Sequence, residues 1–382
     1  MPLPLAGLQI LDLTRVLAGP YATQMFGDLG AEVWKIERPG EGDETRAWGP
    51  PFVAGTSAYY LSINRNKKSA ALDFKNPEHL AALKRAAATA DVVIENFVPG
   101  DLRRYGLDAA TLRRDRPELI VCSITGYGQD GPYASLPGYD AVLQGFTGLM
   151  SITGDPNGRP LKVGVAAVDV LTGVHTAASV LAALVGKLRH GAGSHIDIAL
   201  FEVAVASMVN VSESALVTGL PARRHGNAHP HIVPYQTFDT ADGGLVVAVG
   251  NDEQWQRLCR ALEVPAISAR ADWATNAERV KQREELIGLV SARLAEGSRD
   301  QWLQKLRAAR VPAGPLRDLH EVVRDPVLAQ RGMITEGRVA PSNQAVPLMA
   351  LPWKIDAERP ALRLPPPALG QHTGEFLARF GA

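Results

Sequence analysis

The sequence predicts an α/β protein built on a parallel sheet with helices on both faces. Three observations carry this. Short apolar runs alternate with stretches of helical periodicity from residue 8 to residue 125, the pattern of a sheet assembled from successive crossovers. The first strand–helix–strand passage closes within residues 8–37, the span of a right-handed βαβ unit. Hydrophobic residues make up 46% of the 382, which is ordinary for a globular chain and enough for a large core.

The elements follow in order. LQILDL (8–13) is an apolar run read as a buried first strand. TRVLAGPYATQMFGDLG (14–30) has helical periodicity and stops at Gly30, and AEVWKIE (31–37) is the next strand. SAALDF (69–74), DVVIENF (91–97) and LIVCSIT (119–125) are further strands, with the helical NPEHLAALKRAAATA (76–90) after the first of them. The clearest long helix is DVLTGVHTAASVLAALVGKLRHG (169–191), with Asp169 at the N-cap position and Gly191 at C′. SHIDIALFEVAVASMVNVSESALV (194–217) reads as a short strand running into a second apolar helix. PARRHGNAHPHIVPY (221–235), dense in Pro, Gly and His, reads as a linker. A hairpin candidate with DGG at its turn follows at 235–250, then polar helices at 253–262, 274–295 and 299–309. Beyond about residue 332 the chain is Pro-rich and reads as irregular up to a short helix, TGEFLARF (373–380).

Composition narrows the function. Lys plus Arg and Asp plus Glu each number 40, so the net charge is zero. Bulk nucleic-acid binding needs a basic field and is excluded. A phosphate ligand must be held by a local cluster. Basic residues do cluster, at Lys35 and Arg38, at Arg65, Lys67, Lys68 and Lys75, and at Arg103 and Arg104. They are either solvated faces or, where they converge beside strand ends, a grip for a phosphorylated ligand. The two cysteines, Cys122 and Cys259, make neither a disulfide framework nor a cysteine-rich zinc module. A reduced, cytoplasmic setting is expected. No run reaches about 18 uninterrupted apolar residues, so no membrane span is expected. The N-terminus lacks the basic region of a signal peptide.

The first βαβ unit invites a dinucleotide, but its turn reads RVLAGPYA and lacks the glycines that let a backbone approach a pyrophosphate. Gly126, Gly128 and Gly131 in GYGQDG do match the spacing, yet Pro132 follows and no helix resumes for some ten residues. A glycine-rich loop is the alternative. His225, His229 and His231 crowd the linker without a Cys or carboxylate beside them, so a polar loop is favoured and no metal site is expected. Asp169 has two readings that share one geometry. As an N-cap it would stabilise the helix by about 0.5–2 kcal/mol. As a functional group it would sit where backbone N–H groups favour negative charge.

Segments spread over nearly the whole length of the chain match a known family. The matching segments are RVLAGPYAT (15–23), KIERPGEGDETRAWGPPF (35–52), YYLSINRNKKS (59–69), ENFVPG (95–100), SITGYGQDGP (123–132) and PGYDAV (137–142). They continue through GVAAVDVLTG (164–173), GNAHPHIVPYQTF (226–238) and GQHT (370–373). On these segments the chain resembles the family III CoA-transferases, and within them the group that exchanges CoA among succinate, hydroxymethylglutarate and glutarate. The resemblance implies a Rossmann-like parallel sheet in a large domain, a smaller α+β domain, and an interlocked homodimer. The large domain would take residues 1–220 and 329–382, and the smaller domain with its linkers 221–328. Asp169 falls on the family's catalytic aspartate. Val16, Ala18, Arg38, Leu72, Lys75, Asn96, Phe97 and Arg104 fall on positions that contact CoA. Tyr139 and Asp140 lie beside the catalytic aspartate in the family, with roles in orienting it.

Such chemistry needs no metal and no tightly bound cofactor, because one thioester is exchanged for another. The implied substrates are acyl-CoA, with succinyl-CoA as donor, and a small dicarboxylic acid such as glutarate, hydroxymethylglutarate, itaconate or malate. Neither nucleic acid nor membrane is an expected partner. An aspartate, with a reference pKa of about 3.9, is ionised at neutral pH and acts as the nucleophile. A second substrate carboxylate calls for an arginine, with Arg15 and Arg46 as candidates. The alternative is an isomerase of the α-methylacyl-CoA racemase type. Racemisation needs two acid–base groups, and Tyr139 stands where the racemases carry His.

Overall fold

The computed structural model describes residues 3–381. The chain divides into two compact units, one from the N-terminal part up to Leu149 with Lys162–Leu220 and the chain from Pro326 onward, the other comprising Met150–Leu161 and Pro221–Asp325. The short segment 150–161 thus packs with the second unit, although the sequence places it in the first domain.

In the first unit, β1 (Gln9–Asp12), β2 (Glu32–Glu37), β3 (Lys68–Ala71), β4 (Val92–Glu95), β5 (Ile120–Thr125) and β6 (His195–Ala199) form one sheet. Their order is β3-β2-β1-β4-β5-β6, and every neighbouring pair is parallel. This is the Rossmann order, with its reversal between β1 and β4. Successive residues of a strand point to opposite faces, and both faces are apolar here. Ile10, Ile94 and Cys122 join Phe26 and Met25 on one side. Leu11, Val93 and Val121 join Trp34, Phe376 and Phe380 on the other.

Its helices include α1 (Ala18–Asp28), α2 (Pro77–Thr89), α3 (Asp140–Phe146), α4 (Ala167–His190), α5 (Leu200–Ser207) and α6 (Val209–Thr218). Local signals explain α2: the Asn76 side chain accepts from Glu78 and His79 N–H, and Pro77 opens the first turn. Gly191 closes α4 in a left-handed conformation, as its position predicts.

Four expectations are corrected. α1 begins at Ala18 rather than near 14, because residues 14–17 are held by side chains in a non-helical turn described below. α4 begins at Ala167, so Asp169 lies inside its first turn and is not the N-cap. The predicted second apolar helix is broken at Met208 into α5 and α6, bent by 82°. The Pro-rich region after 332 holds an antiparallel hairpin, Ile334–Val339 with Gln344–Met349. It buries Val339, Val346 and Leu348, and leaves Pro347 exposed on the alternate face, where a two-stranded ribbon tolerates it.

α4 has 24 residues, and its most apolar 18-residue window has mean hydropathy 1.7. It therefore has the length and composition of a membrane span, although polar residues interrupt its apolar run. Val168, Ala177, Val180 and Leu184 bury one face in the core shared with α1.

The second unit carries the expected hairpin, Tyr235–Asp239 against Gly244–Ala248, extended by Ala313–Pro315. Trp255, Trp273 and Trp302 fill its core. The helical stretch 274–295 is divided at Gln282 into Asn276–Lys281 and Arg283–Ala295.

Candidate active site

The carboxyl ends of β1 and β4 flank the switch point of the sheet, where open α/β sheets bind their ligands. The chain after β1 lacks a glycine fingerprint, and side chains hold its backbone instead. Asp12 Oδ1 accepts from Thr14 N–H at 2.9 Å. Lys35 Nζ donates to Thr14 O at 2.9 Å. Asn96, just beyond β4, accepts from Arg15 N–H at 3.1 Å and donates to Arg15 O at 2.8 Å. Asp43 Oδ1 accepts from Val16 N–H at 3.3 Å. Val16 is thereby kept at φ 71°, a conformation a β-branched residue holds only when its surroundings impose it. The clamps are themselves anchored by buried ion pairs, Lys35–Asp43 at 2.8 Å and Lys67–Asp12 at 3.2 Å.

Two cavities open at this turn. The larger has a volume of about 700 Å³, within the usual range for a sizeable ligand. Arg38, Leu72, Lys75, Phe97 and Arg104 all line it. The smaller, about 170 Å³, is lined by Val16, Ala18, Asn96, Phe97, Tyr139 and Asp169 among others. Arg15, Glu44 and Phe97 border both, so the two spaces adjoin along those side chains.

A close helix crossing sets the position of Asp169. Gly173 lies one turn further along the same face of α4, and a Cβ there would stand 2.8 Å from Ala18 O. Glycine lets α4 press onto the start of α1, which brings Asp169 into a cavity lined by Val16 and Leu17. The first turn of α4 is capped from a distance. Asp140 Oδ1 accepts from Val168 N–H at 2.8 Å and from Asp169 N–H at 3.2 Å, while its Oδ2 accepts from Gln144 Nε2 at 2.6 Å. The capping work is done by Asp140, and the Asp169 carboxylate is left for the cavity.

That carboxylate is not an ordinary one. Burial first, and the neighbouring Asp140 carboxylate second, push Asp169 up to about 7. Tyr59, missed in the sequence, faces the same charges. Burial and the carboxylates of Asp169, Asp140 and Asp43 push its phenol up to about 12. Tyr59 packs edge-on against Trp48 at 5.5 Å, and Trp48 borders the larger cavity. The phenol stays protonated at neutral pH and is available as a donor. A carboxylate that is ionised but poorly hydrated is a strong nucleophile.

A pH profile follows from this. With the anion as the reactive form, kcat/KM should fall about tenfold per pH unit below a limb near 7. Asp140→Asn removes a charge that raises Asp169, and keeps an oxygen for the Val168 and Asp169 N–H groups. Its limb should move to lower pH. A limb that stays put in this variant would remove Asp140 from the electrostatics of the site.

The other sequence candidates fall as follows. Arg15 borders both cavities and pairs with Glu44 at 2.7 Å. Arg46 does not reach either cavity. Its guanidinium is buried against Glu37, with Nε–Oε2 at 2.8 Å and Nη2–Oε1 at 2.7 Å, and it donates to Tyr60 OH at 2.6 Å. As a substrate residue it is corrected: its charge is already spent on Glu37. Tyr139 is 58% exposed at the cavity edge. Gly126 packs on Gly138, where a Cβ would meet Gly138 Cα at 2.8 Å, so the glycine-rich loop serves a close backbone contact beside the small cavity. Among the described residues no three His, Cys, Asp or Glu side chains group as metal ligands. His229 instead stacks on Tyr235 at 5.3 Å.

Known proteins share this fold. The family model for CoA-transferase family III matches residues 5–373. The chain is 44% identical to a succinate–glutarate CoA-transferase of Agrobacterium fabrum, over 99% of this chain and 96% of that protein. It is 43% identical to a human succinyl-CoA:glutarate CoA-transferase, over 98% of this chain and 85% of that protein. A crystal structure of a CAIB/BAIF family protein from Brucella suis, 40% identical, superposes with a TM-score of 0.85 over 100% of both chains. That of Rv3272 from M. tuberculosis, 31% identical, gives 0.86 over 98% of this chain and 99% of the other.

Proposed function

The chain belongs to CoA-transferase family III, and we propose that it moves CoA from succinyl-CoA to a short dicarboxylic acid, with Asp169 as the covalent carrier. The observation that supports this most directly is Asp169 itself: a nucleophile whose acidity is shifted, set in a small cavity that adjoins a larger one at the switch point of the sheet. The names of the relatives supply the donor and the acid class.

The larger cavity suits CoA. Lys75 and Arg104 border it, and neither has a carboxylate partner within 4 Å among the described residues, so both are free for phosphates. The thioester would then reach the smaller cavity past Arg15 and Phe97. Asp169 attacks the thioester carbonyl, CoA thiolate leaves, and an aspartyl–acyl anhydride forms. The thiolate attacks the aspartyl carbonyl, which frees the donor acid and leaves an aspartyl–CoA thioester. The acceptor carboxylate attacks that thioester, and the steps run in reverse. CoA thioesters are substrates throughout, and no tightly bound cofactor takes part. The racemase reading is not favoured: the relatives named above are transferases, and the group beside Asp169 that would hold the second proton is a phenol rather than an imidazole.

We also propose a homodimer, interlocked as the resemblance implies. On α4 to α6 the first unit exposes Leu188, Val209, Leu216 and Val217, each at 68–86%, an apolar surface of the kind that marks an interface. Light scattering should give twice 40.9 kDa.

The test of the activity is direct. Purified protein is mixed with succinyl-CoA and a panel of mono- and dicarboxylic acids, and acyl-CoA species are followed by mass spectrometry. A new thioester that requires its matching dicarboxylic acid is expected. Absence of any new thioester across donors and acids would defeat the reading.

A further inference from the structure

We propose that Arg15 binds the free carboxylate of a dicarboxylate substrate, and that Glu44 holds its place between turnovers. The inference rests on the transferase reading and adds the residues that tell a dicarboxylate from a monocarboxylate.

A dicarboxylate presents one carboxyl group to Asp169, and its second must leave water beside an anion. That needs a cation close by. Among the described residues lining the Asp169 cavity, Arg15 is the only cation. The cavity is small, at about 170 Å³. It takes a short acyl chain, so a carboxylate at the far end of that chain would stand near the cavity border, where Arg15 lies.

The root of Arg15 is fixed by hydrogen bonds, and its tip lies 5.9 Å from the centre of the Phe97 ring. Asn96 holds both the N–H and the carbonyl of its backbone. Its side chain is 51% exposed and meets Glu44, 44% exposed, through one contact, Nη1 to Oε1 at 2.7 Å. The planar guanidinium is suited to a two-point grip on a carboxylate, and this single contact leaves it room to take one. Glu44 is thus a carboxylate already sitting where a substrate carboxylate would sit.

Burial decides which ion pair can exchange. Arg46–Glu37 is buried and doubly bonded, so separating it strands two charges. Arg15–Glu44 is exposed, and exposed pairs contribute little in water, so a substrate carboxylate displaces Glu44 at small cost. Glu44 is held within reach by the clamp that holds the turn. It opens a short 3₁₀ turn (Glu44–Ala47) capped by the Asp43 side chain, and Asp43 also accepts from Val16 N–H.

The experiment compares acids and donors that differ by one carboxylate: glutarate with pentanoate, and succinyl-CoA with butyryl-CoA. In Arg15→Met, the preference for glutarate over pentanoate, and for succinyl-CoA over butyryl-CoA, should shrink by about 10- to 100-fold, the worth of a hydrogen bond to a charged group. Glu44→Gln should act in the opposite sense, lowering the KM for glutarate by about two- to five-fold, with the change in KM rather than kcat. Equal losses for both acids and both donors in Arg15→Met would show that Arg15 does not read the second carboxylate. An unchanged or higher glutarate KM in Glu44→Gln would remove the placeholder role. If the wild-type protein transfers CoA and these comparisons fail, only this inference falls. If the wild-type protein makes no thioester from any acid, the transferase reading falls and takes the inference with it.

Discussion

Asp169→Asn is expected to reduce turnover by at least about 10⁴-fold, the scale of losing a covalent nucleophile, without unfolding the protein. The amide has the shape of the acid and lacks the anion that attacks the thioester. The fold does not lean on this carboxylate, since Asp140 caps the first turn of α4 through the backbone of Val168 and Asp169. The variant should in fact be the more stable protein at neutral pH. Folding raises the Asp169 pKa from 3.8 to about 7. Its favourable contribution is therefore complete below the unfolded value and lost as pH rises through the folded one. The stability advantage of the Asn variant should grow between pH 3.8 and about 7 and level off above. Urea titrations at pH 5 and pH 8 would measure this, and a variant that is active or uniformly less stable would contradict it.

Arg46→Met is expected to act on stability instead. Its guanidinium makes two bonds to Glu37, one to Tyr60 OH and one to Pro367 O at 3.2 Å. It also lies 3.7 Å from the centre of the Tyr60 ring. Removing it leaves Glu37 buried with an uncompensated charge, and breaking such a pair costs about 3–5 kcal/mol. Burial raises the pKa of Glu37, and its contacts with Arg46 and Lys35 more than reverse this and hold the group below its ordinary value. The favourable contribution of Glu37 is therefore present above its unfolded pKa and lost as pH falls through the folded one. The stability loss in Arg46→Met should accordingly be largest near neutral pH and shrink in acid. Normal stability with a selective loss of dicarboxylate use would instead return Arg46 to the substrate site.

The contrast between Arg15 and Arg46 shows what a sequence conveys and what it withholds. The strands were legible because β1, β4 and β5 are apolar on both faces, a property local to each run. Helix boundaries were less so. Asp169 sits where a cap would sit, but the capping carboxylate comes from Asp140, 29 residues earlier. No local pattern reports such a bond. The hairpin after 332 was hidden because Pro347 suggests irregular chain, while its exposed alternate position lets the strand continue. The missing glycines after β1 argued against a dinucleotide fingerprint. They gave no hint that Lys35, Asp43 and Asn96 would hold the turn in their place. Lys35 interrupts the apolar run EVWKIE, and a lysine inside a strand that should be buried is the one trace of that clamp. Tyr59 and Glu44 were not singled out, because their importance lies in the charges they meet from distant parts of the chain.

The covalent role of Asp169 is tested most directly by oxygen transfer. The acceptor acid is supplied with ¹⁸O in both carboxylate oxygens, and the peptide carrying Asp169 is weighed after turnover with succinyl-CoA. When the acceptor attacks the aspartyl–CoA thioester, one of its oxygens becomes the anhydride bridge. CoA thiolate then attacks the acceptor carbonyl, and that oxygen stays on Asp169. The expected result is ¹⁸O in the Asp169 peptide, dependent on both donor and acid. New acyl-CoA formed with no label in that peptide would contradict an aspartyl carrier.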